Sequence, residues 1–303
     1  MAKEKQVNVA GRNSAPSKKR PKLGQNFLAD QRRAQQIVEA LGDLSTRTVL
    51  EIGPGRGALT DFLVQRAQRL IAIELDRVLA AQLRLRYARN RNVEIIEGDI
   101  LSTDLHNVVQ RRPEPLLAGP PRKFSDPVPR ASIIGNLPYY VTSDIVLHLL
   151  AFSDVIDAIV MMMQREVAER IAAKPGSRDY GLLSATVQLY GPVEKLFTLP
   201  PGAFSPPPQV HSTVLKLTVE PRFRDLRVQR DEFVDFLKAA FGQKRKTLFN
   251  NLRRFYPPAE VRPALKAAGA RADARAESLS LEQTAAIFRA LGPVTKPVVV
   301  AEA

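Results

Sequence analysis

An amide, a proline and two tyrosines interrupt an apolar run at residues 136–140, which read Asn-Leu-Pro-Tyr-Tyr. The preceding Ile133 and Ile134 are typical of a buried strand. Pro138 cannot donate a hydrogen bond to a sheet, so the chain should leave the sheet at about Asn136. Ligands of open α/β sheets bind at the carboxyl ends of strands, which makes this segment a candidate site. The alternative is a structural turn closed by the asparagine side chain, with the tyrosines packed into the core.

A glycine-rich segment, EIGPGRGAL at residues 51–59, follows a predicted strand and opens a predicted helix. Its glycines allow a tight turn whose backbone N–H groups can approach a ligand, and the helix start favours an anionic group. Gly53, Gly55 and Ala58 match a loose G-x-G-x-x-A pattern. Glu74 follows about 20 residues later, where a ribose-binding acid belongs in NAD and S-adenosylmethionine folds alike. A purely structural turn is the remaining interpretation.

Two further strand ends favour one of these cofactors. Asp99 lies at the end of the third strand, in EGDI, and could accept a hydrogen bond from the amino group of a cofactor adenine. Asn136 lies at the end of the fourth. A hydride-transfer enzyme has no evident use for the Asn-Leu-Pro-Tyr sequence, so these residues favour S-adenosylmethionine over NAD.

The charge of the chain indicates a polyanionic partner. Its 303 residues include 45 Lys and Arg against 31 Asp and Glu, a formal net charge of +14. The basic residues cluster at residues 18–22 (KKRPK), at 243–246 (QKRK), and at Arg253 and Arg254. Several clusters on one strongly basic chain favour nucleic acid over a membrane surface, since no amphipathic anchor accompanies them.

Other classes of protein are excluded by composition. The chain has no cysteine, and its three histidines have neither metal-ligand spacing nor an adjacent acidic partner, so we expect no metal site and no hydrolase triad. No apolar run is long enough for a membrane span, and the N-terminus lacks the apolar centre of a secretory signal. We therefore predict a cytoplasmic protein.

The elements that must position these residues alternate along the chain. Helical patterns at Gln31–Leu41 and from about Ala58 alternate with the β-branched runs TVLEIG, RLIAIELD, VEIIEGDI, ASIIGN and DAIVMMMQ. This alternation predicts an α/β fold with a doubly wound, Rossmann-like parallel sheet. VEKLFTLP and STVLKLTVE are expected to add a closing strand pair.

The ends of the chain and one internal segment depart from this alternation. Residues 1–17 are polar and basic and are predicted to be disordered, while the proline-rich residues 110–130 are predicted to be a surface insertion. Residues 18–220 then form the sheet domain. From 221 to 303 the pattern is helical, which predicts a smaller C-terminal all-helical domain.

Eight motifs, in this order, resemble those of the small-subunit ribosomal RNA adenine N6,N6-dimethyltransferases: LGQNFL, LEIGPGRGALT, IAIELD, EGDIL, GNLPYY, MMMQREVAERI, FSPPPQV and FGQKRKTLFNNL. The resemblance spans residues 18–291. It implies a methyltransferase domain using S-adenosylmethionine, together with an RNA-binding helical domain. The implied cofactor-binding residues are Asn26, Leu28, Gly53, Glu74, Asp99 and Asn136.

The resemblance also implies catalytic roles for Asn136, Leu137, Pro138, Tyr139 and Phe204. Asn136 Oδ1 and the Leu137 carbonyl would accept the two N–H bonds of an adenine N6 and orient its lone pair. Pro138 would stiffen the turn, while Tyr139 and Phe204 would hold the flipped base between two rings. Tyr140 is assigned to packing.

The predicted activity is therefore dimethylation of two adjacent adenines in a 3′-terminal hairpin loop of small-subunit (16S) rRNA, during small-subunit biogenesis. The partners would be 16S rRNA and the pre-30S particle, with no membrane contact and a monomeric enzyme. Three rivals remain at this point: an NAD-dependent oxidoreductase, a large-subunit rRNA adenine methyltransferase of the antibiotic-resistance type, and a non-catalytic RNA-binding assembly factor. The match of QKRKTLFNNL favours the small-subunit enzyme over its large-subunit relative.

Overall fold

The computed structural model describes residues 26–111 and 129–294. The predicted tail at 1–17, the basic cluster at 18–22 and most of the predicted insertion at 110–130 lie outside these ranges. Within the described ranges, no helix is both long enough and apolar enough to cross a membrane.

Strands and helices alternate through most of the chain. The strands are β1 (Phe27–Leu28), β2 (Thr48–Ile52), β3 (Arg69–Glu74), β4 (Val93–Glu97), β5 (Ala131–Asn136), β6 (Ile156–Gln164), β7 (Val193–Leu199), β8 (Phe204–Ser205) and β9 (Ser212–Thr218). The α-helices are α1 (Gln31–Glu39), α2 (Thr60–Arg66), α3 (Arg77–Arg86), α4 (Leu105–Gln110), α5 (Thr142–Ala151), α6 (Arg165–Ile171), α7 (Leu182–Gln188), α8 (Phe223–Leu226), α9 (Arg230–Ala240), α10 (Leu248–Leu252), α11 (Pro258–Ala267) and α12 (Leu281–Leu291).

Seven strands form one sheet in the order β4-β3-β2-β5-β6-β9-β7. The first five are mutually parallel, and β9 runs antiparallel to both β6 and β7. The doubly wound sheet and its closing strand pair are thereby confirmed. The chain proceeds from β2 outward to β4 and then returns to β5 on the other side of β2. The carboxyl ends of β2 and β5 therefore flank the point where strand order reverses, which is where such folds bind ligands.

Both faces of the sheet are buried. One face packs against α1 and α2, in a cluster that includes Ile37, Leu63 and Met162. The other face shares a larger core with the C-terminal helices, reaching from Ile133 in β5 to Phe288 in α12. Burial on both sides explains why the central strands are nearly continuous apolar runs.

The change from strands to helices falls near the predicted boundary at 220/221, since β9 ends at Thr218 and α8 begins at Phe223. The hydrophobic core continues across this boundary without a break. The division of the chain into separate domains stays a prediction.

The basic cluster at 243–246 lies in a turn rather than in a helix, although the whole segment from 231 to 255 has a helical pattern. Helix α9 ends at Ala240, and Asn251 Nδ2 donates hydrogen bonds to the carbonyls of Ala240 and Gln243. Thr247 caps the next helix by accepting from the Asn250 backbone N–H. These two side chains satisfy the backbone groups that the interruption leaves free, and the turn presents its lysines and arginine outward.

Gly135 allows β2 and β5 to approach closely just before Asn136. A Cβ built at Gly135 would lie 2.7 Å from the Ile52 carbonyl oxygen, a backbone atom that cannot move without shifting β2. The absence of a side chain at this position therefore sets the spacing of the two strands that carry the glycine loop and Asn136.

We expect Gly135→Ala to destabilise the protein by about 1–3 kcal/mol, because the added methyl group overpacks a backbone contact. Urea denaturation of the purified variant measures this effect. Gly202→Ala is the matched control, since no atom lies within 4 Å of a Cβ at that position. Equal unfolding midpoints for the two variants would contradict the proposed constraint.

Candidate functional site

A cavity of about 590 Å³ opens at the carboxyl ends of the parallel strands. It lies where the strand order reverses, between the loops that follow β2 and β5. Its lining includes nine of the ten predicted site residues: Asn26, Leu28, Gly53, Glu74, Asp99, Asn136, Leu137, Pro138 and Tyr139. The volume falls within the range of small-molecule sites in proteins.

The side chain of Asn136 is oriented by a residue far away in sequence. Its Nδ2 donates a hydrogen bond of 3.0 Å to the backbone carbonyl of Asn26. Because the amide nitrogen is engaged there, Oδ1 points the other way and accepts no hydrogen bond from the described part of the chain. The site therefore keeps one side-chain acceptor free.

A second acceptor lies beside the first. The Leu137 backbone N–H donates to the Met162 carbonyl at 3.0 Å, which fixes the peptide against β6. The Leu137 carbonyl has no partner among residues 26–111 and 129–294. Two oxygens, one from a side chain and one from the backbone, are thus available to a ligand that carries two N–H donors.

The turn after these acceptors is held from both sides. The Pro138 carbonyl accepts from Thr142 Oγ1 at 3.0 Å and from the Val141 N–H at 3.3 Å. The Tyr139 hydroxyl lies 2.8 Å from Oγ of Ser212, a fully buried residue in β9. The Tyr139 ring is consequently anchored at its far end, and sequence alone had not revealed this partner.

The prediction that Tyr140 packs into the core is wrong. Its side chain is 60% exposed, although it belongs to the cavity lining. In the tight turn between β5 and α5, successive side chains point in different directions. Tyr139 points inward, where its hydroxyl contacts Ser212, and Tyr140 points toward solvent.

Phe204 is the predicted site residue that the structure does not bring to the cavity. It is 4% exposed and packs in the same core cluster as Leu28, its partner in the antiparallel pairing of β1 with β8. The role of its ring as a wall for a flipped base stays a prediction.

The glycine loop is covered by Phe27, a residue not singled out by sequence analysis. Gly53 and Gly55 have φ of +62° and +59°, a conformation that other residues rarely adopt. A Cβ at Gly55 would lie 3.0 Å from the Phe27 ring, so the ring rests directly on the loop. The Arg56 guanidinium stacks on this ring, 4.4 Å from its centroid. Phe27 is thereby held between the loop and a cation, next to Asn26.

Glu74 faces the cavity from the end of β3 and is 4% exposed. Its two carboxylate oxygens accept from the backbone N–H groups of Gly55 and Asp76, each at 2.9 Å. Burial raises the pKa of this carboxyl, and the two backbone hydrogen bonds oppose that shift. Each oxygen keeps a second lone pair that a bound hydroxyl could use.

Glu51 is a second buried carboxyl in the cavity lining that sequence analysis missed. It is 1% exposed and accepts a 2.7 Å hydrogen bond from Thr60 Oγ1. Burial raises its pKa to about 8, a shift opposed by Thr60 and reinforced by the charge of Glu74. A usable sequence signal was present, because Glu51 is an acid within a largely apolar strand, two residues before Gly53 of the glycine loop.

Asp99 contributes a more exposed carboxylate from the end of β4. One oxygen accepts from the Leu101 N–H at 3.0 Å and caps the short 3₁₀ turn that follows. The cavity is thus lined by three carboxyls, Glu51, Glu74 and Asp99, with Arg56 as the one basic residue of its described lining.

The raised pKa of Glu51 makes stability depend on pH. The folded protein holds a proton that the unfolded chain releases above its ordinary pKa of 4.5, so stability should fall as pH rises from 4.5 to about 8. Glu51→Gln should lose less stability than wild type between pH 5 and 8, by a difference on the order of a few kcal/mol. Urea denaturation of cofactor-free protein at several pH values measures this difference.

Glu260→Gln removes an exposed carboxyl on α11 and is the matched control for that experiment. Parallel stability profiles for wild type and Glu51→Gln would show that the carboxyl is ionised in the folded protein.

Comparison with known proteins identifies the family. The family model described as ribosomal RNA adenine dimethylase matches residues 16–292. A curated relative from Koribacter versatilis (strain Ellin345), named "Ribosomal RNA small subunit methyltransferase A", is 61% identical over 283 residues, covering 93% of this chain and 98% of the relative. A protein of the same name from Acidobacterium capsulatum is 54% identical over 275 residues, covering 90% and 92% of the two chains.

Solved structures show the same fold. The crystal structure of the 23S rRNA methyltransferase ErmE superposes with a TM-score of 0.64 at 25% identity, over 88% of this chain and 99% of that one. A dimethyladenosine transferase from Plasmodium falciparum gives a TM-score of 0.68 at 23% identity, over 87% and 96% of the two chains, and this is a likeness of fold alone. With a family model that covers nearly the whole chain and relatives above half identity, this protein belongs to the ribosomal RNA adenine dimethylase family.

Proposed function

We propose that this protein transfers methyl groups from S-adenosylmethionine to N6 of two adjacent adenines in a 3′-terminal hairpin loop of 16S rRNA, forming N6,N6-dimethyladenine during small-subunit biogenesis. The observation that carries the proposal is the pair of free acceptors, Asn136 Oδ1 and the Leu137 carbonyl, on two residues that line a cofactor-sized cavity. The names of the two curated relatives described above support the choice of RNA.

The cavity's chemistry fits S-adenosylmethionine. This cofactor presents hydrogen-bond donors at its ammonium, its ribose hydroxyls and its adenine amino group, and the cavity offers carboxyls at Glu51, Glu74 and Asp99. Glu74 would hold the ribose and Asp99 the adenine, while Asn26, Leu28, Gly53 and Asn136 would complete the contacts. When bound, the cofactor supplies an electrophilic methyl group on its sulfonium.

The residues after β5 would activate the substrate nitrogen. Adenine N6 is a poor nucleophile because its lone pair is delocalised into the ring, and its two N–H bonds need acceptors. Asn136 Oδ1 and the Leu137 carbonyl can take both, which favours a more tetrahedral nitrogen whose lone pair is free to react. A strong general base is not needed, since an alkylated nitrogen loses its proton readily.

The flipped base would stack on Tyr139, whose ring is held by its hydroxyl contact with Ser212. Phe204 remains the proposed opposing wall. Since the ring is buried against Leu28's strand in this structure, that role requires the side chain to turn toward the cavity when the base enters.

The lysine and arginine side chains of the turn at 243–246 would contact phosphates of the RNA backbone. Arg245 lines a second cavity, of about 650 Å³, together with Arg271 and Arg275, while Lys244 Nζ donates to the Arg178 carbonyl at 3.1 Å.

We further propose that the protein acts as a monomer on pre-30S particles in the cytoplasm, where such an rRNA substrate is assembled.

Two rival functions remain to be separated by experiment. A large-subunit methyltransferase of the antibiotic-resistance type is compatible with the fold, because ErmE shares it. A non-catalytic assembly factor would bind RNA without transferring methyl groups. Incubation with labelled S-adenosylmethionine and each unmethylated ribosomal subunit distinguishes them: label in the small subunit supports the proposal, label in the large subunit supports the first rival, and no label supports the second.

We expect Asn136→Ala to lower single-turnover methyl transfer by two or more orders of magnitude, because it removes an acceptor that matters most as the nitrogen becomes tetrahedral. RNA affinity should barely change. The measurement is product formation at saturating cofactor on unmethylated small subunits, scored separately for mono- and dimethylated adenine. Asn107→Ala, at an exposed position of α4, controls for loss of an amide elsewhere. Transfer by folded Asn136→Ala within a few fold of wild type would refute this mechanism.

Replacing Lys244, Arg245 and Lys246 with glutamine should flatten the salt dependence of RNA affinity. A protein that makes fewer phosphate contacts releases fewer counterions from the RNA when it binds. The expected change is up to about 0.7 log units of slope per contact on single strands. The matched control replaces Arg77, Arg89 and Arg91, three exposed residues in and just after α3, and removes the same charge. Identical slopes for the two triple variants would assign the effect to net charge alone.

A further inference from the structure

Tyr140 is an aromatic residue for which folding provides no partner. Its side chain is 60% exposed at the cavity lining. The hydroxyl makes no hydrogen bond and the ring no aromatic or cation–π contact with any described residue. Single exposed apolar residues are normal on protein surfaces, but this ring lines the candidate cavity, where it is available to a ligand.

The backbone on either side of Tyr140 is nevertheless fixed. The preceding tyrosine is tied to Ser212, and Thr142 Oγ1 bonds the Pro138 carbonyl at the start of α5. Consecutive Cα atoms lie about 3.8 Å apart, so the exposed side chain leaves the backbone next to Tyr139, the residue that would stack the target base. Tyr140 is therefore an exposed aromatic residue at the rim of the cavity, in a turn whose neighbouring residues are held by hydrogen bonds.

We propose that Tyr140 stacks on the base of the nucleotide adjacent to the adenine being methylated. This inference rests on the proposed function, in which one base is flipped into the cavity while its neighbour remains at the rim. Unpaired RNA bases are commonly held by stacking on exposed aromatic rings. Stacking tolerates any base, so Tyr140 acts as a positioning surface: it holds the strand while Asn136 and Tyr139 engage the target.

Tyr140 would also act when the second of the two adjacent adenines is methylated. Two neighbouring adenines must enter the same cavity in turn, and each becomes the other's neighbour. A surface that stacks the outer base limits the sliding of the strand between these two placements. Loss of the ring should therefore raise KM for RNA more than it lowers the rate of the chemical step.

The test combines a protein change with an RNA change. Wild type and Tyr140→Ala are compared on unmethylated small subunits whose target adenine has either its natural neighbour or an abasic residue. On the natural substrate, Tyr140→Ala should raise KM by on the order of 10-fold or more, from the range typical of base–aromatic stacking. On the abasic substrate the variant and wild type should be equal, because the partner of the ring is already gone.

Two further variants complete the design. Tyr140→Phe keeps the ring and should behave as wild type, while Leu85→Ala removes an apolar side chain that is 81% exposed on α3 and should change nothing. Cofactor affinity of Tyr140→Ala, measured by calorimetry, should match wild type. The proposal is overturned if the loss is the same on both substrates, or if it appears instead in cofactor affinity.

Direct measurement of RNA affinity on the same two substrates, which requires no methyl transfer, separates this inference from the proposed function. A wild-type enzyme that binds the natural substrate more tightly than the abasic one, in a Tyr140-dependent way, supports the stacking surface even if no methyl group is transferred. Methyl transfer without any dependence on the neighbouring base supports the proposed function and overturns the stacking surface.

Discussion

The hydrogen bond from Asn136 Nδ2 to the Asn26 carbonyl decides what the site can do. It connects two segments 110 residues apart in sequence and sets which face of the amide meets a ligand. Its geometry depends in turn on the close approach of β2 and β5 at Gly135, and on Phe27, which lies between the glycine loop and Arg56. A free acceptor in this position exists because the neighbouring donor is already satisfied.

The charged residues that line the cavity are mostly acidic, whereas the chain as a whole is strongly basic. The chain carries a formal charge of +14, whereas its cavity is lined by Glu51, Glu74 and Asp99 with Arg56 as a single basic neighbour in the described lining. A basic exterior attracts RNA, and an acidic interior suits a ligand with a sulfonium and an ammonium. Burial raises the pKa of both Glu51 and Glu74, the charge of Glu74 adds to the shift at Glu51, and a bound cation would favour the ionised carboxylates.

The C-terminal helices are joined to the sheet through the core rather than through a linker. Apolar residues from β5, α7 and α12 belong to one continuous cluster, and the loop after α6 contacts the C-terminal region through the Gly176 N–H and the Glu277 carbonyl. The basic turn at 243–246 is held between two helices, α9 and α10, that both contribute to this core.

The sequence by itself determined the sheet and its loops, because strand alternation, glycine turns and the proline after Asn136 act on the backbone within a few residues. It also identified nine residues that the structure brings to one cavity. Tertiary structure alone decided how their side chains face: Tyr140 is exposed, Phe204 is buried, the helical pattern around 243–246 is broken, and Glu51 becomes a buried acid. These outcomes depend on partners such as Asn26, Ser212 and Asn251, whose approach is set by packing between distant segments rather than by any local pattern.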